Sequence, residues 1–104
     1  MNGGFVMRCN DLMHSIVKCK SLFFKLCLAY APDVTDSYKA TSRIAEIMPD
    51  DESKTCVWEL YYLWRAAHSG DSVNLFKHLD NIRNTYLSAL HHLQANVNYH
   101  FELN

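Results

Sequence analysis

Apolar residues recur along this chain at helical spacing, and punctuation residues separate four segments. In the first, roughly residues 10–31, Leu12, Ile16, Cys19, Phe23, Leu26, Cys27 and Tyr30 fall on one side of a helix. His14, Lys18, Ser21 and Lys25 form a narrow polar wedge, while Met13, Val17, Phe24 and Leu28 extend the apolar arc beyond one side. Asn10 or Asp11 is the expected cap, and Pro32 stands just past the end. A second helix is expected over 34–48, opened by Asp33 or Asp36 and closed by Pro49. It turns Tyr38, Thr41, Ile44, Ala45 and Met48 inward.

The third helix opens at Pro49-Asp50-Asp51-Glu52, where carboxylates meet the positive end of the helix. Ser69-Gly70-Asp71 then supplies a closing glycine and a new N-cap within three residues. So short a link predicts an antiparallel hairpin of helices three and four. Helix four is expected over 72–95. Leu75, Phe76, Leu79, Ile82, Tyr86, Ala89, Leu90 and Leu93 face inward, opposite Lys77, Asp80, Asn81, Asn84, Ser88 and His91. Val97, Tyr99, Phe101 and Leu103 alternate weakly and predict a short C-terminal arm, either extended or packed by its aromatics. The expectation is an all-α chain, a compact four-helix bundle with a short C-terminal arm, forming a single helical domain over 1–104.

The densest segment is 56–67. Cys56, Val57, Leu60, Leu63, Trp64 and Ala67 share one broad arc, and Trp58, Tyr61, Tyr62 and Arg65 occupy the arc beside it. Only Glu59 and Ala66 fill the remainder. A surface helix needs one apolar stripe, so this helix has two neighbours, or one neighbour and a partner. Trp, Tyr and Arg are the residue types most enriched in binding hot spots. Trp58, Tyr61, Tyr62 and Arg65 are therefore the expected partner-binding residues, with Leu60 and Trp64 in the core.

Composition adds little chemistry. With 104 residues, 49% hydrophobic and 20% charged, the chain suits one globular core, and a net charge of −1 gives no global pull toward nucleic acid. Asp50, Asp51 and Glu52 are accounted for by capping, and Arg8, Lys18, Lys20 and Lys25 are too sparse for a phosphate-binding patch. A helix-turn-helix reading of helix four finds one lysine on its outer face, together with Asp80. Nucleic-acid binding is thus the alternative rather than the leading reading.

The four cysteines show no Cys-x-x-Cys spacing. Cys19 and Cys27 stand about 12 Å apart along a helix, beyond the roughly 7 Å reach of a disulfide. Free, mostly buried thiols in a cytoplasmic protein are expected. Ser21–Ala31, preceded by Lys18 and Lys20, imitates the apolar region of a secretion signal with Ala29-Tyr30-Ala31 as its cleavage site. Lys25 interrupts that run, and no uncharged stretch approaches the ~18 residues of a membrane span, so no membrane association is expected.

Six histidines raise the question of a metal. His78 and His92 lie about 21 Å apart along one helix, and adjacent His91 and His92 point about 100° apart. His68 suits the negative end of helix three. Ser88 lies one turn from His92 but has no orienting acid within reach and no Gly-x-Ser-x-Gly turn. Helical nucleases of the HEPN class carry an arginine followed at a short fixed interval by a histidine. Arg83-Asn84 is similar at its start, but seven residues separate Arg83 from His91, so the resemblance stops there.

No catalytic residue, metal or cofactor is assigned. The expected function is that of a small non-catalytic protein that binds another protein, regulating or inhibiting by occupancy. Size and the lack of catalytic motifs link it to adaptors, immunity proteins and inhibitors carried by phages or plasmids. A homodimer through helix one would cover its wide apolar arc. The second alternative is a small helical enzyme with a His/Cys site assembled across helices, such as His14 with Cys56.

Overall fold

A computed structural model describes the backbone of residues 2–103 and the side chains of residues 11–102. Five helices follow one another among the described residues: α1 (Asn2–Tyr30), α2 (Ser37–Glu46), α3 (Asp51–Ser69), α4 (Ser72–Thr85) and α5 (Leu87–Leu103). The all-α class agrees with the hydrophobic pattern. The expected four-helix count and C-terminal arm do not hold, because the fourth segment divides in two and the arm is helical.

Two corrections concern the termini. Helix α1 passes through Asn10 and Asp11 instead of starting there, and Asp11 forms an ion pair with Arg83 at 3.2 Å. Helix α1 has 29 residues, and at ~1.5 Å per residue this accounts for most of the molecule's 46 Å long axis. At the other end, residues 96–103 continue α5 as helix, with Val97 fully buried. The weak alternation there came from four apolar residues, Val97, Tyr99, Phe101 and Leu103, in a segment that continues as helix.

The third correction is the division of the expected fourth helix at Tyr86. That residue leaves helical geometry (φ −115°, ψ 21°), and its N–H approaches the carbonyls of both Asn81 and Ile82. An i to i−5 contact beside the usual i to i−4 bond is a local widening of the helix, a recognised cause of kinks. The kink swings α5 onto α1 and α3. Neither proline nor glycine marks the position, so no local signal announces it.

The caps follow their chemistry. Asp36 accepts from Lys39 N–H at 2.9 Å and opens α2, while Asp33 instead pairs with Arg43. Asp50 accepts from Ser53 N–H at 2.8 Å and opens α3. Lys54 reaches back to the Ala45 and Glu46 carbonyls, closing the end of α2 with a positive charge. Gly70 adopts φ 72°, where a side chain would be strained. Its N–H bonds Ala67 O and that of Asp71 bonds Ala66 O, the paired closure that a left-handed glycine permits. Asp71 then accepts from the backbone and side chain of Asn74 to start α4.

Helix α3 is the centre of the molecule, touching each of the other four helices. Cys56, Val57, Leu60 and Leu63 are completely buried in a continuous core with Leu26, Ile44, Leu79, Ile82, Leu93 and Val97. This explains apolar residues on nearly every side of α3. Ala66, which lies outside both arcs, is buried where α4 packs on α3. Tyr38 and Phe76, expected inside, are exposed. The run that imitates a secretion signal supplies Leu22, Phe23, Leu26 and Ala31 to the core. No helix of the described chain is long and apolar enough to cross a membrane.

Candidate interaction surface

The aromatic segment of α3 divides between core and surface. Tyr61 is only 5% exposed and meets Phe23, Trp64, Tyr38, Trp58 and Tyr62, with ring centroids between 5.1 and 6.3 Å. It is a core residue that no partner reaches, which corrects its place in the expected binding row. Trp58 is half-buried, 5.0 Å from Tyr38 and 6.1 Å from Tyr62. Tyr62 is 39% exposed, and Arg65 is exposed with no ion pair among the described residues. Trp64, expected inside, is half-buried against Phe23 and carries His68 on its ring at 4.7 Å.

Neighbouring helices complete the surface. Tyr38 of α2 joins it on one side. On the other, the His78 ring of α4 stacks on Tyr62 at 5.4 Å and 23°. Tyr38, Trp58, Tyr62 and His78 thus form a continuous aromatic band across three helices. His78 Nδ1 lies 2.7 Å from Glu59 Oε2, and Asn81 Nδ2 donates to both Glu59 oxygens at 3.4 Å. Both partners of the pair are largely covered, with side chains 16% and 15% exposed. A carboxylate in such a seam needs donors to offset lost hydration. Since a carboxylate accepts, Nδ1–H is the donor to Glu59.

Beside the band, α3 and α4 enclose an open cleft of about 400 Å³ lined by Tyr62, Arg65, Ala66, Ser69, Asp71, Asn74 and His78. Several of these groups are committed to local structure. Ser69 Oγ donates to the Arg65 and Ala66 carbonyls, and Asp71 is held by Asn74, which keeps its carboxyl below the usual range. Arg65 is the cation at the cleft without such a commitment. A tyrosine face, an unpaired guanidinium and an oriented imidazole suit a carboxylate-bearing group. Among the described residues no hydroxyl or thiol hydrogen-bonds His78.

The other sequence candidates stay apart. Cys56 is sealed in the core, 4.0 Å from Tyr86 O, whereas His14 is exposed, so they form no joint site. Burial pushes the thiols of Cys19 and Cys56 up to about 11 and about 12, and raises Cys27 as well. Such thiols are poor nucleophiles. These three cysteines are free, and Cys9 lies outside the described side chains. Ser88 and His92 are both exposed and make no hydrogen bond to each other. Asn81 turns toward Glu59, which removes it from the outer side of α4. Among the described residues, no group of three or more His, Cys, Asp and Glu is placed to hold a metal ion.

Tyr38, Glu59 and His78 escaped sequence reasoning. A usable signal existed for two of them. In an antiparallel hairpin closed at Gly70, residues equally distant from the turn face each other, which sets Tyr62 opposite His78 and Glu59 opposite Asn81. Tyr38 had no such signal, because its position depends on how α2 crosses α3. No known protein family, curated protein or solved structure matches this chain.

Proposed function

We propose that this is a small non-catalytic protein-binding protein, regulating or inhibiting a partner by occupying it through Tyr38, Trp58, Tyr62 and Arg65. The observation that carries the reading is the aromatic band beside a cleft whose arginine has no ion pair within the described chain. Aromatic rings and arginine offer large contact area with a polar handle, the combination that dominates contact energies. Tyr61 supports the band from beneath. The partner segment that fits has an apolar side chain for Tyr38 and Trp58 and a carboxylate for Arg65. Size and the lack of catalytic motifs support a kinship with adaptors, immunity proteins and inhibitors carried by phages or plasmids.

The test is capture of partners from native cells by the wild-type chain, followed by affinity measurement on the isolated partner with Tyr62→Ala and Arg65→Ala. Each variant is expected to keep the wild-type melting temperature and to weaken binding by about 2 kcal/mol or more. Unchanged affinity in both variants would remove this surface from the function. Trp58→Ala is the less informative change, because its half-buried ring serves fold and surface together.

A further inference from the structure

Helix α1 carries a second surface, on the side away from its core contacts. Met13, Val17, Phe24 and Leu28 are 63%, 59%, 62% and 47% exposed. At about 100° per residue these four fall within an arc of roughly 60°. Their eleven-residue spacing (13 to 24, 17 to 28) keeps the stripe straight along the helix for about 22 Å. Ile16, Cys19, Leu22, Phe23 and Leu26 of the same helix are buried on the opposite side. Exposed large apolar residues scattered singly are ordinary; a straight row of them marks a contact.

Two further observations specify what lies on it. Beside Phe24 the stripe opens into an apolar cavity of about 230 Å³, lined chiefly by Phe23, Phe24, Cys27, Val34, Ala40 and Trp64. That is below the roughly 300–1,000 Å³ of small-molecule sites and suits one large apolar side chain. The charge along the stripe has one sign. Lys18 and Lys25 line one edge, exposed and without ion pairs among the described residues, and no Asp or Glu occurs from Leu12 to Ala31. A two-fold contact between copies would set this face against itself, and Asp11, the carboxylate of α1 nearest the lysines, is already paired with Arg83. A membrane-lying helix presents a broad apolar face, and this arc is narrow.

We propose that the outer face of α1 docks an amphipathic helix of a partner protein. The partner's apolar ridge lies along Met13, Val17, Phe24 and Leu28, one large side chain enters the cavity beside Phe24, and carboxylates meet Lys18 and Lys25. This is helix packing on an exposed helix face with a single anchor in the cavity. It shares with the proposed function the premise that the protein works by contact, but uses different residues, so the two fail separately.

The probes are two synthetic helical peptides with the same leucine ridge and one tryptophan, flanked by glutamates in one and by lysines in the other. Each is titrated into the full chain by fluorescence anisotropy. The glutamate peptide is expected to bind at least about tenfold tighter, a difference of roughly 1.4 kcal/mol. Phe24→Ser with Leu28→Ser should abolish that binding without lowering the melting temperature, and Lys18→Glu with Lys25→Glu should reverse the preference. Tyr62→Ala should leave it unchanged. Equal affinity for the two peptides, or indifference to Phe24→Ser, overturns the proposal. So does a dimer in sedimentation that Phe24→Ser dissociates, which gives the face to a second copy. Binding to phosphatidylserine vesicles that Phe24→Ser abolishes, with no peptide binding, overturns it in favour of a membrane.

Discussion

At the scale of single residues, adjacent side chains have opposite duties. Tyr61 and Tyr62 are neighbours, yet one is sealed among five rings and the other faces solvent over His78. Tyr61→Ala should destabilise the protein by about 3–5 kcal/mol, the usual loss for a buried aromatic ring. Tyr62→Ala should leave thermal unfolding nearly unchanged, so parallel melting curves separate the two. Glu59→Ala should destabilise by about 1–3 kcal/mol, because His78 and Asn81 lose their acceptor inside a covered seam. Denaturant titration of that variant checks the seam directly.

The thiols give a second residue-scale expectation. Burial holds Cys19 and Cys56 protonated, so under native conditions alkylation should reach half-buried Cys27 well before either, and unfolding should expose all four cysteines. Mass spectrometry with time-resolved labelling reads the order. The raised folded values also fix a sign. The protonated thiol is the form the fold prefers, so this stabilisation is complete below the unfolded thiol range near 9. It is lost as pH rises toward about 11 for Cys19 and about 12 for Cys56.

At the scale of elements, the junctions were the most legible parts of the chain. Pro32, Pro49, Gly70 and Asp71 all lie between helices. Each acts through its own backbone or the next few residues, so no distant packing is needed to interpret it. Asp71→Ala should lower the denaturation midpoint, and Gly70→Ala should do so too by forcing a side chain into positive φ. Asp33, Asp50 and Asp71 have carboxyl pKa values below the ordinary range through their hydrogen bonds. Their contribution is therefore present above the unfolded carboxylate range near 4 and is lost as pH falls through the lower folded values. Asp71→Ala should accordingly show a flatter loss of stability in acid than wild type, read by denaturation at a series of pH values. The kink at Tyr86 is the opposite case. Nothing in Asn84-Thr85-Tyr86-Leu87 breaks a helix by itself, and the bend accompanies the packing of α5 on α1 and α3.

At the scale of the whole molecule, one helix is wrapped by the other four, and the two surfaces argued for binding lie on α3 with its flanking helices and on the outside of α1. Asp11, the carboxylate of α1 nearest the stripe's lysines, is already paired with Arg83, so sedimentation at micromolar concentration should show one species of 12.1 kDa. A concentration-dependent dimer would reassign the stripe. The band and the stripe meet different chemistry, carboxylate with apolar groups in one and an acidic-edged helix in the other. Combining Tyr62→Ala with Phe24→Ser should therefore give additive losses toward a partner that uses both.

The sequence by itself determined the all-α class, the bounds of α3 and the hairpin that joins it to α4. Helical periodicity, N-cap carboxylates and a left-handed glycine act within a few residues, so their effects are local and can be read locally. Tertiary structure decided which sides of α3 are covered, and hence that Tyr61 belongs to the core while Tyr62 remains at the surface. It brought Tyr38 and His78 to the band, paired Glu59 with His78, bent the chain at Tyr86 and left the α1 stripe uncovered. Each of these depends on where a second helix crosses. Side chains all round α3 are apolar enough to be buried, and only the placement of its four neighbours selects among them.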